Sequence, residues 1–362
     1  MARLPLALLS AAARKSPAND PIPLRPRGLV LGSHGADLVH DGLAHGSFGL
    51  GMTSDARGME LSLDVRLQLA QTLRRRSHGI VSAFSAYPMI PPIVWMPEPA
   101  ASKSSYSDPR VAGFTGMFPD FDDTEMASSV ASLRHHLESQ YARLMHIAAM
   151  RSHLSAVHER RELEGLDDVT GAESVHLLEQ DDELLDTVAR WYKTYLRVDL
   201  SIEAEASAFS LWVGSGTSRA NLARAGQGLQ QVLPVVSYLA GLATTALDID
   251  TLVLEEPELH LHPAVHGGIA DLIVRAVATE SRRNQVIVET HSENLVLRIR
   301  RHVAAGTLDP DSVNILWFEG DASGATAREI LINADGSVTA WPSGVFSENL
   351  EEVRAIARES RR

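Results

Sequence analysis

Two acidic strand ends carry the residues of this sequence best suited to chemistry. The run Glu255-Glu256-Pro257-Glu258-Leu259-His260-Leu261-His262-Pro263 follows the short apolar stretch Thr251-Leu252-Val253-Leu254. A second apolar stretch, Val286-Ile287-Val288, ends in Glu289-Thr290-His291-Ser292-Glu293. Adjacent carboxylates leaving a buried strand point to different sides of the chain. One can therefore hold a Mg2+ ion, directly or through water, while its neighbour activates a water. A histidine at the end of the adjacent strand can contact a phosphoryl group as it develops charge. Taken alone, Glu255-Glu256 is equally a solvated helix-entry turn. The apolar strand in front of it and His291 at the next strand end make the combination chemical.

Such residues need strands and helices to hold them. In an open parallel sheet, ligands bind outside the carboxyl ends of the strands. Pro263 fits the first turn of a helix reaching to about Arg283, with Val265, Ile269, Leu272, Ile273, Ala276 and Val277 on one face. Ser292 can cap a helix carrying Leu295, Val296 and Ile299, and Val313 to Phe318 is a third apolar run. Short buried strands alternating with helices predict a parallel α/β sheet covered on both faces. Upstream, residues 59 to 70 alternate as a half-buried strand and 79 to 96 form a second strand-like run. Residues 97 to 109 read as a Pro/Ser-rich loop. Apolar residues fall at helical spacing over 124 to 162 and 173 to 197, a helical insertion. The tail from 329 to 342 reads as a hairpin through Asn333-Ala334-Asp335-Gly336, with a short helix after Ser347. The expected organisation is the N-terminal part of an α/β lobe over 1–120, the helical insertion over 121–205, the C-terminal lobe over 206–325 and a small tailpiece over 326–362.

Composition narrows the function. The 362 residues hold 33 Lys+Arg against 46 Asp+Glu, a formal net charge of -13, which argues against coating nucleic acid by charge alone. With no cysteine, thiolate catalysis, disulfides and Cys-based metal sites are excluded. No stretch reaches the about 18 apolar residues of a membrane span, so a cytoplasmic protein with no membrane partner is expected.

The segments LVLEEPELHLHP and VIVETHSE resemble the Walker B and switch-histidine segments of ABC-type ATPases. Within these they look most like the chromosome-maintenance (SMC), RecF-like and overcoming-lysogenization-defect (OLD) group, often labelled AAA-family ATPases. NLARAGQGLQQVLP resembles that group's signature segment, and ILINADGSVTAWPSGVF is similar to a small tailpiece with a Trp-Pro, Gly, Phe pattern found in one branch. The likeness is strong over about 210 to 345 and looser over 25 to 200. It implies a P-loop NTPase-like (ABC/SMC-type) mixed sheet with flanking helices and a helical insertion. ATP and Mg2+ are the implied cofactors.

Carried over residue by residue, Glu255 takes the metal-side position, where many relatives have Asp. Glu256 takes the general-base position and His291 the γ-phosphate switch. Gly226 and Gly228, with Gln230 or Gln231, take the signature role across a dimer; the group usually has Ser where this chain has Gln230. The implied partners are a second copy or another ATPase chain, a nuclease or other effector, and DNA. The implied task is DNA maintenance or anti-phage defence. No nuclease constellation is visible in the chain itself. Arginine clusters at 74–76, 282–283 and Arg298-Arg300-Arg301 are candidates for phosphate contact, or simply solvated helix ends.

One part is missing. A P-loop, G-x-x-x-x-G-K-[ST], needs its lysine to reach the β and γ oxygens. The sequence has three lysines, Lys15, Lys103 and Lys193, and none follows a glycine. Gly214-Ser215-Gly216-Thr217-Ser218 has the glycines without the lysine. MARLPLALLSAAARKSP has a signal-like composition, yet ARLPLALLSAA resembles the leucine-rich helix that follows the P-loop in the group. The phosphate-binding lysine is therefore expected upstream of Met1 or on a partner subunit, and the chain alone is expected to bind ATP weakly. Two rivals stay open. One is a non-catalytic scaffold that keeps the ATPase fold. The other is a metal-dependent hydrolase built on His260, His262, His266 and His291 with the nearby glutamates.

Overall fold

A computed structural model describes residues 47–56, 59–71, 77–87, 93–95, 111–115, 118–122, 124–163, 169–278, 284–321, 324–339, 341, 354 and 356–359. The chain divides into two compact units, Met1–Leu144 and Met145–Arg362. The N-terminal leucine-rich segment and the arginines at 74–76 and 282–283 lie outside the described residues.

In the first unit, β1 (Ser47–Ala56), β2 (Met59–Gln71), β3 (Ser77–Tyr87) and β4 (Ile93–Trp95) form an antiparallel meander in that order. A register shift opposite Arg66/Leu67 leaves Ser82 of β3 as one extra residue in the ladder, a β-bulge in that strand. A hairpin of β5 (Val111–Thr115) and β6 (Phe118–Phe121) precedes helix α1 (Thr124–Ala142). The helical pattern read over 124 to 162 ends at Ala142. The next apolar residues form a strand instead.

That strand, β7 (Leu144–Ile147), is the outer member of a three-stranded sheet ordered β13-β12-β7, with β12 spanning Thr251–Glu255 and β13 spanning Gln285–Glu289. Strand β12 is buried from Leu252 to Glu255, which is why it reads as a continuous apolar run. It pairs in parallel with β13 from Thr251 opposite Gln285 to Glu255 opposite Glu289, so both acidic strand ends finish at one edge. The β13 residues are exposed or half-buried throughout, with Ile287 39% exposed. The expected third parallel strand does not join this sheet. Residues Ile315–Asp321 pair antiparallel with Gly324–Ile330 as a separate hairpin, because a short connection lets the chain fold straight back.

Between β7 and β12 lie β8 (His158–Glu159), helices α2 (Ser174–Gln180) and α3 (Asp182–Trp191), β9 (Leu200–Ala204), β10 (Ala208–Val213) and β11 (Ala220–Asn221). Strand β10 pairs antiparallel with β8, β9 and β11. The helical run read over 173 to 197 breaks at Asp181, whose carboxylate accepts from the Leu184 amide 2.9 Å away and so restarts the chain as α3. Gly214 and Gly216, both at positive φ, turn the chain from β10 to β11 and form no phosphate loop.

Helix α4 (Gln227–Thr244) is buried along nearly its whole length and is the central element of the core. Helix α5 (Pro263–Val277) bridges β12 and β13, and α6 (Glu293–Ala304) follows β13. Three aromatics at the end of α3 fasten this layer. Trp191 Nε1 donates to Gly268 O of α5 at 2.9 Å, the fully buried Tyr192 donates to Leu229 O of α4 at 2.7 Å, and Tyr195 donates to Asp271 at 2.7 Å. Gly171, at φ 75, lies against Pro234 inside α4, where an added Cβ would come within 2.3 Å of the proline ring. In the tail, Gly336 at φ 77 closes the turn read at 333–336, and Arg300 Nε holds its carbonyl at 2.8 Å. Among the described residues, no helix is long and apolar enough to cross a membrane.

Two imidazoles packed on one phenylalanine, His158 half-buried and His176 buried, are expected to make the second unit acid-sensitive. His158 stacks on Phe209 and His176 meets the same ring edge-on, each with centroids 5.3 Å away. Burial lowers both imidazoles below the ordinary value. His176 lowers His158 further, and Arg161 does the same to His176. The unfolded chain therefore takes up protons first, and stability falls as pH drops below about 6.5. Urea midpoints at pH 7.5 and 5.5 check this, and His158→Phe should flatten the difference. Equal midpoints for the unsubstituted chain would refute it.

Candidate functional site

The site is built on the carboxyl end of β12 and the turn that follows. The Glu256 amide donates to Glu289 O at 2.8 Å, extending the parallel ladder by one residue. There the strand stops, because Glu256 adopts φ 40, a left-handed conformation that costs a non-glycine residue roughly 1–2 kcal/mol. Leu259 N bonds back to Glu256 O and Leu261 N to Glu258 O, both at 3.0 Å, and His260 is again left-handed at φ 67. His262 Nδ1 then accepts from Ala264 N, so this histidine is the cap of α5, with Pro263 in its first turn.

The three acids of the run behave differently. Glu255 is 4% exposed. Its Oε1 takes a hydrogen bond from His146 Nε2 of β7 at 3.1 Å, and its Oε2 lies 3.4 Å from the Ala149 amide. Glu256 is half-buried. Glu258 is 9% exposed, and its Oε1 accepts from Thr290 Oγ1 at 2.6 Å and from the His291 amide at 2.8 Å. The other oxygen of Glu258 is buried without a hydrogen-bond partner. One carboxylate thus ties the turn after β12 to the turn after β13, bringing His291, itself exposed, to the same edge as Glu255 and Glu256.

Arg151, in the segment after β7, lies beneath this turn. It is 6% exposed and donates to Gln231 O at 3.2 Å, Glu255 O at 2.9 Å and Glu256 O at 2.8 Å. Burial pulls its guanidinium down to about 10, while Glu258, Glu256 and Glu255 hold it up, so it stays charged near neutral pH.

The segment that resembles a signature meets the site through Gly228. A Cβ there would lie 2.6 Å from His260 O, so the first turn of α4 reaches the turn after β12 only because residue 228 is glycine. Gly226 caps α4 with no side-chain bond, and a Cβ there would meet nothing within 4 Å. The two glutamines are turned inward. Gln230 is buried and its amide donates to Ala225 O at 2.8 Å and Ala223 O at 3.3 Å, while Gln231 is buried and offers its carbonyl to Arg151.

Ser292 caps α6, accepting from Leu295 N at 3.1 Å. His266 sits between Ser292 Oγ at 2.7 Å and Leu261 O at 3.2 Å. A carbonyl can only accept, so Nε2 carries the hydrogen and Nδ1 accepts from the serine. With His262 and His266 engaged in this way, the histidine-based metal site expected as a rival is not assembled. Among the described residues, no three His, Asp or Glu side chains converge as a cation cage. Magnesium is a different case, since one or two carboxylates with water and phosphate oxygens suffice. The oxygen-rich turn, with its unpartnered buried Glu258 oxygen, fits that demand.

Of the arginine cluster on α6, Arg298 pairs with Asp271 at 3.0 Å and Arg300 holds Gly336 O, so those two are structural. Only Arg301 of the three is classed as exposed. Sequence reading missed Arg151, His146 and the bridging role of Glu258.

The family described as "AAA domain, putative AbiEii toxin, Type IV TA system" matches residues 104–298, more than half of the chain and all of this site. The chain belongs to this AAA-domain family. A second family, described as a protein of unknown function (DUF3696), matches residues 308–356, across the β14–β15 hairpin (Ile315–Asp321 and Gly324–Ile330) and the tail. No curated protein matches the sequence. Among solved structures, the AAA-domain chain is similar to an SmcHead bound to the C-winged helix domain of ScpA, at 9% identity and TM-score 0.42, covering 91% of this chain and 87% of that one. It is also similar to an SMC head domain from Thermotoga maritima, at 10% identity and TM-score 0.38, covering 79% and 75%. At such identities and scores the likeness is remote, and the family match carries the assignment. The architecture is mixed α/β, as expected.

Proposed function

We propose that this AAA-domain chain supplies the metal-side acid, the water-activating base, the switch histidine and the signature segment of an ATP-hydrolysing dimer. The observation that supports this most is the fixed Glu255-Glu256 strand end with His291 held beside it through Glu258. In this reading Glu256, half-buried where the strand ends, takes a proton from the attacking water. Glu255, with both oxygens met by protein donors, acts on the cation through water. The exposed His291 contacts the γ-phosphate. Backbone N–H groups at the Gly226 end of α4, and not the inward-turned glutamines, meet phosphate oxygens of the second subunit's nucleotide. Bound Mg2+ would neutralise charge developing on the transferred phosphoryl group.

In this reading the lysine that meets the β and γ oxygens is supplied by the assembly and not by Lys15, Lys103 or Lys193, none of which follows a glycine. The likeness to a putative AbiEii toxin of a type IV TA system is in keeping with a defence role. A nuclease or other effector, or DNA, is the further partner that the sequence resemblance implies. The missing lysine favours one alternative, a scaffold that keeps the fold without hydrolysis. ATP turnover by the P-loop-completed assembly decides between them. Hydrolysis lost on Glu256→Gln supports the enzyme, and an assembly that binds ATP yet never turns it over supports the scaffold.

A further inference from the structure

We propose that Arg151 is a positioning residue that couples helix α4 to the backbone of Glu256, holding the base in its working conformation. The inference rests on the reading of Glu256 as the base. Arg151 is buried, yet it forms no ion pair within 4 Å among the described residues. Its Nη1 and Nη2 hydrogens go instead to three backbone carbonyls on two elements, Gln231 of α4 and Glu255 and Glu256 at the end of β12, while Nε is buried without a partner. Burying a cation costs several kcal/mol unless the site repays it. Here the repayment is three nearby carboxylates and a rigid fork of donors that suits several fixed acceptors at once.

The pattern of acceptors is specific to one backbone state. In an extended strand, successive carbonyls point to opposite sides, and a single Nη2 could not reach both. The left-handed turn at Glu256 swings consecutive carbonyls to one side, and Nη2 then bonds to Glu255 O and Glu256 O together. Arg151 therefore favours the φ 40 state over the extended one. It also donates to Gln231, one turn of α4 beyond the Gly226 end proposed to meet phosphate. A shift of α4 on nucleotide contact moves a carbonyl that shares its guanidinium with Glu256. Lysine retains the charge but cannot span three carbonyls, so charge alone will not substitute.

The first test is ATP turnover by the P-loop-completed assembly. Arg151→Met should lower kcat by about 10–100-fold with KM for ATP within about two-fold, the signature of a misplaced group and not of lost binding. Arg151→Lys should recover little of it. In a Glu256→Gln background, Arg151→Met should cost nothing further, because it acts through that residue. Equal losses in both backgrounds, a change confined to KM, or full activity in Arg151→Met would overturn the proposal.

A second test uses this chain alone and does not depend on the base assignment. Hydrogen exchange of the Leu259 and Leu261 amides should speed up in Arg151→Lys while exchange in β9 and β10 stays unchanged. Unchanged exchange at the turn overturns the clamp. Faster exchange at the turn with hydrolysis indifferent to Glu256→Gln keeps the clamp and removes the base assignment.

Discussion

Replacing Glu256 by Gln is expected to reduce ATP hydrolysis by the P-loop-completed assembly by about 10²–10⁴-fold, the range a general base contributes. Nucleotide affinity should stay within a few-fold. Glutamine preserves size and hydrogen bonding, and the backbone contacts that shape this turn belong to the Glu256 N–H and C=O, not to its side chain. The substitution therefore removes proton acceptance and little else. If ATP binding drives dimerisation, the variant should also accumulate as an ATP-bound dimer, because assembly is retained while turnover is not. Single-turnover hydrolysis with size-exclusion chromatography in ATP reads both effects. Unchanged turnover would remove Glu256 from the mechanism. Lost turnover with equally lost ATP binding would mean that the side chain serves the nucleotide site structurally.

The sequence made the central part of this site visible because its signals are local. Thr251 to Glu255, the start of the helix at Pro263 and the Ser292 cap each depend on residues within a few positions, and each stands where it was read, although that helix ends at Val277 and not near Arg283. Arg151 was invisible for the opposite reason. In Ile147-Ala148-Ala149-Met150-Arg151 it looks like a surface residue after a strand, and its three acceptors come from Gln231, Glu255 and Glu256, far away in the chain. His146 is similar, since only the juxtaposition of β7 and β12 gives its imidazole a carboxylate. The signature likeness gave no hint of what Gln230 does within the fold. Its amide satisfies the carbonyls of Ala223 and Ala225, a need that arises only once that loop folds against α4. The apolar run ending at Phe318 was assigned to the parallel sheet on its apolarity, yet Leu316 and Phe318 are exposed, and apolarity does not name the partner strand. The short turn to Gly324 decided the pairing.

Gly228→Ala sets two effects against each other. Alanine in a helix interior is favoured over glycine by about 1 kcal/mol. Residue 228 lies in the first turn of α4 and not at a positive φ, so propensity alone predicts a small gain. Against it stands the 2.6 Å approach of the new Cβ to His260 O, a backbone atom that cannot rotate away. The turn around that carbonyl is held by Leu261 N on Glu258 O and by the left-handed His260, so it yields only by disturbing the bonds that also place Glu256 and His291. Overpacking of this kind costs typically about 1–3 kcal/mol, which exceeds the propensity gain in the crowded first turn. The expected result is a net loss of about 1 kcal/mol in urea unfolding, with a fall in kcat larger than that loss of stability explains. Gly226→Ala is the control, since a Cβ there meets nothing within 4 Å and should cost under about 1 kcal/mol. A Gly228→Ala chain as stable and active as the unsubstituted one would show that α4 and the catalytic turn move independently. The close approach would then be no part of how the signature segment communicates with the base.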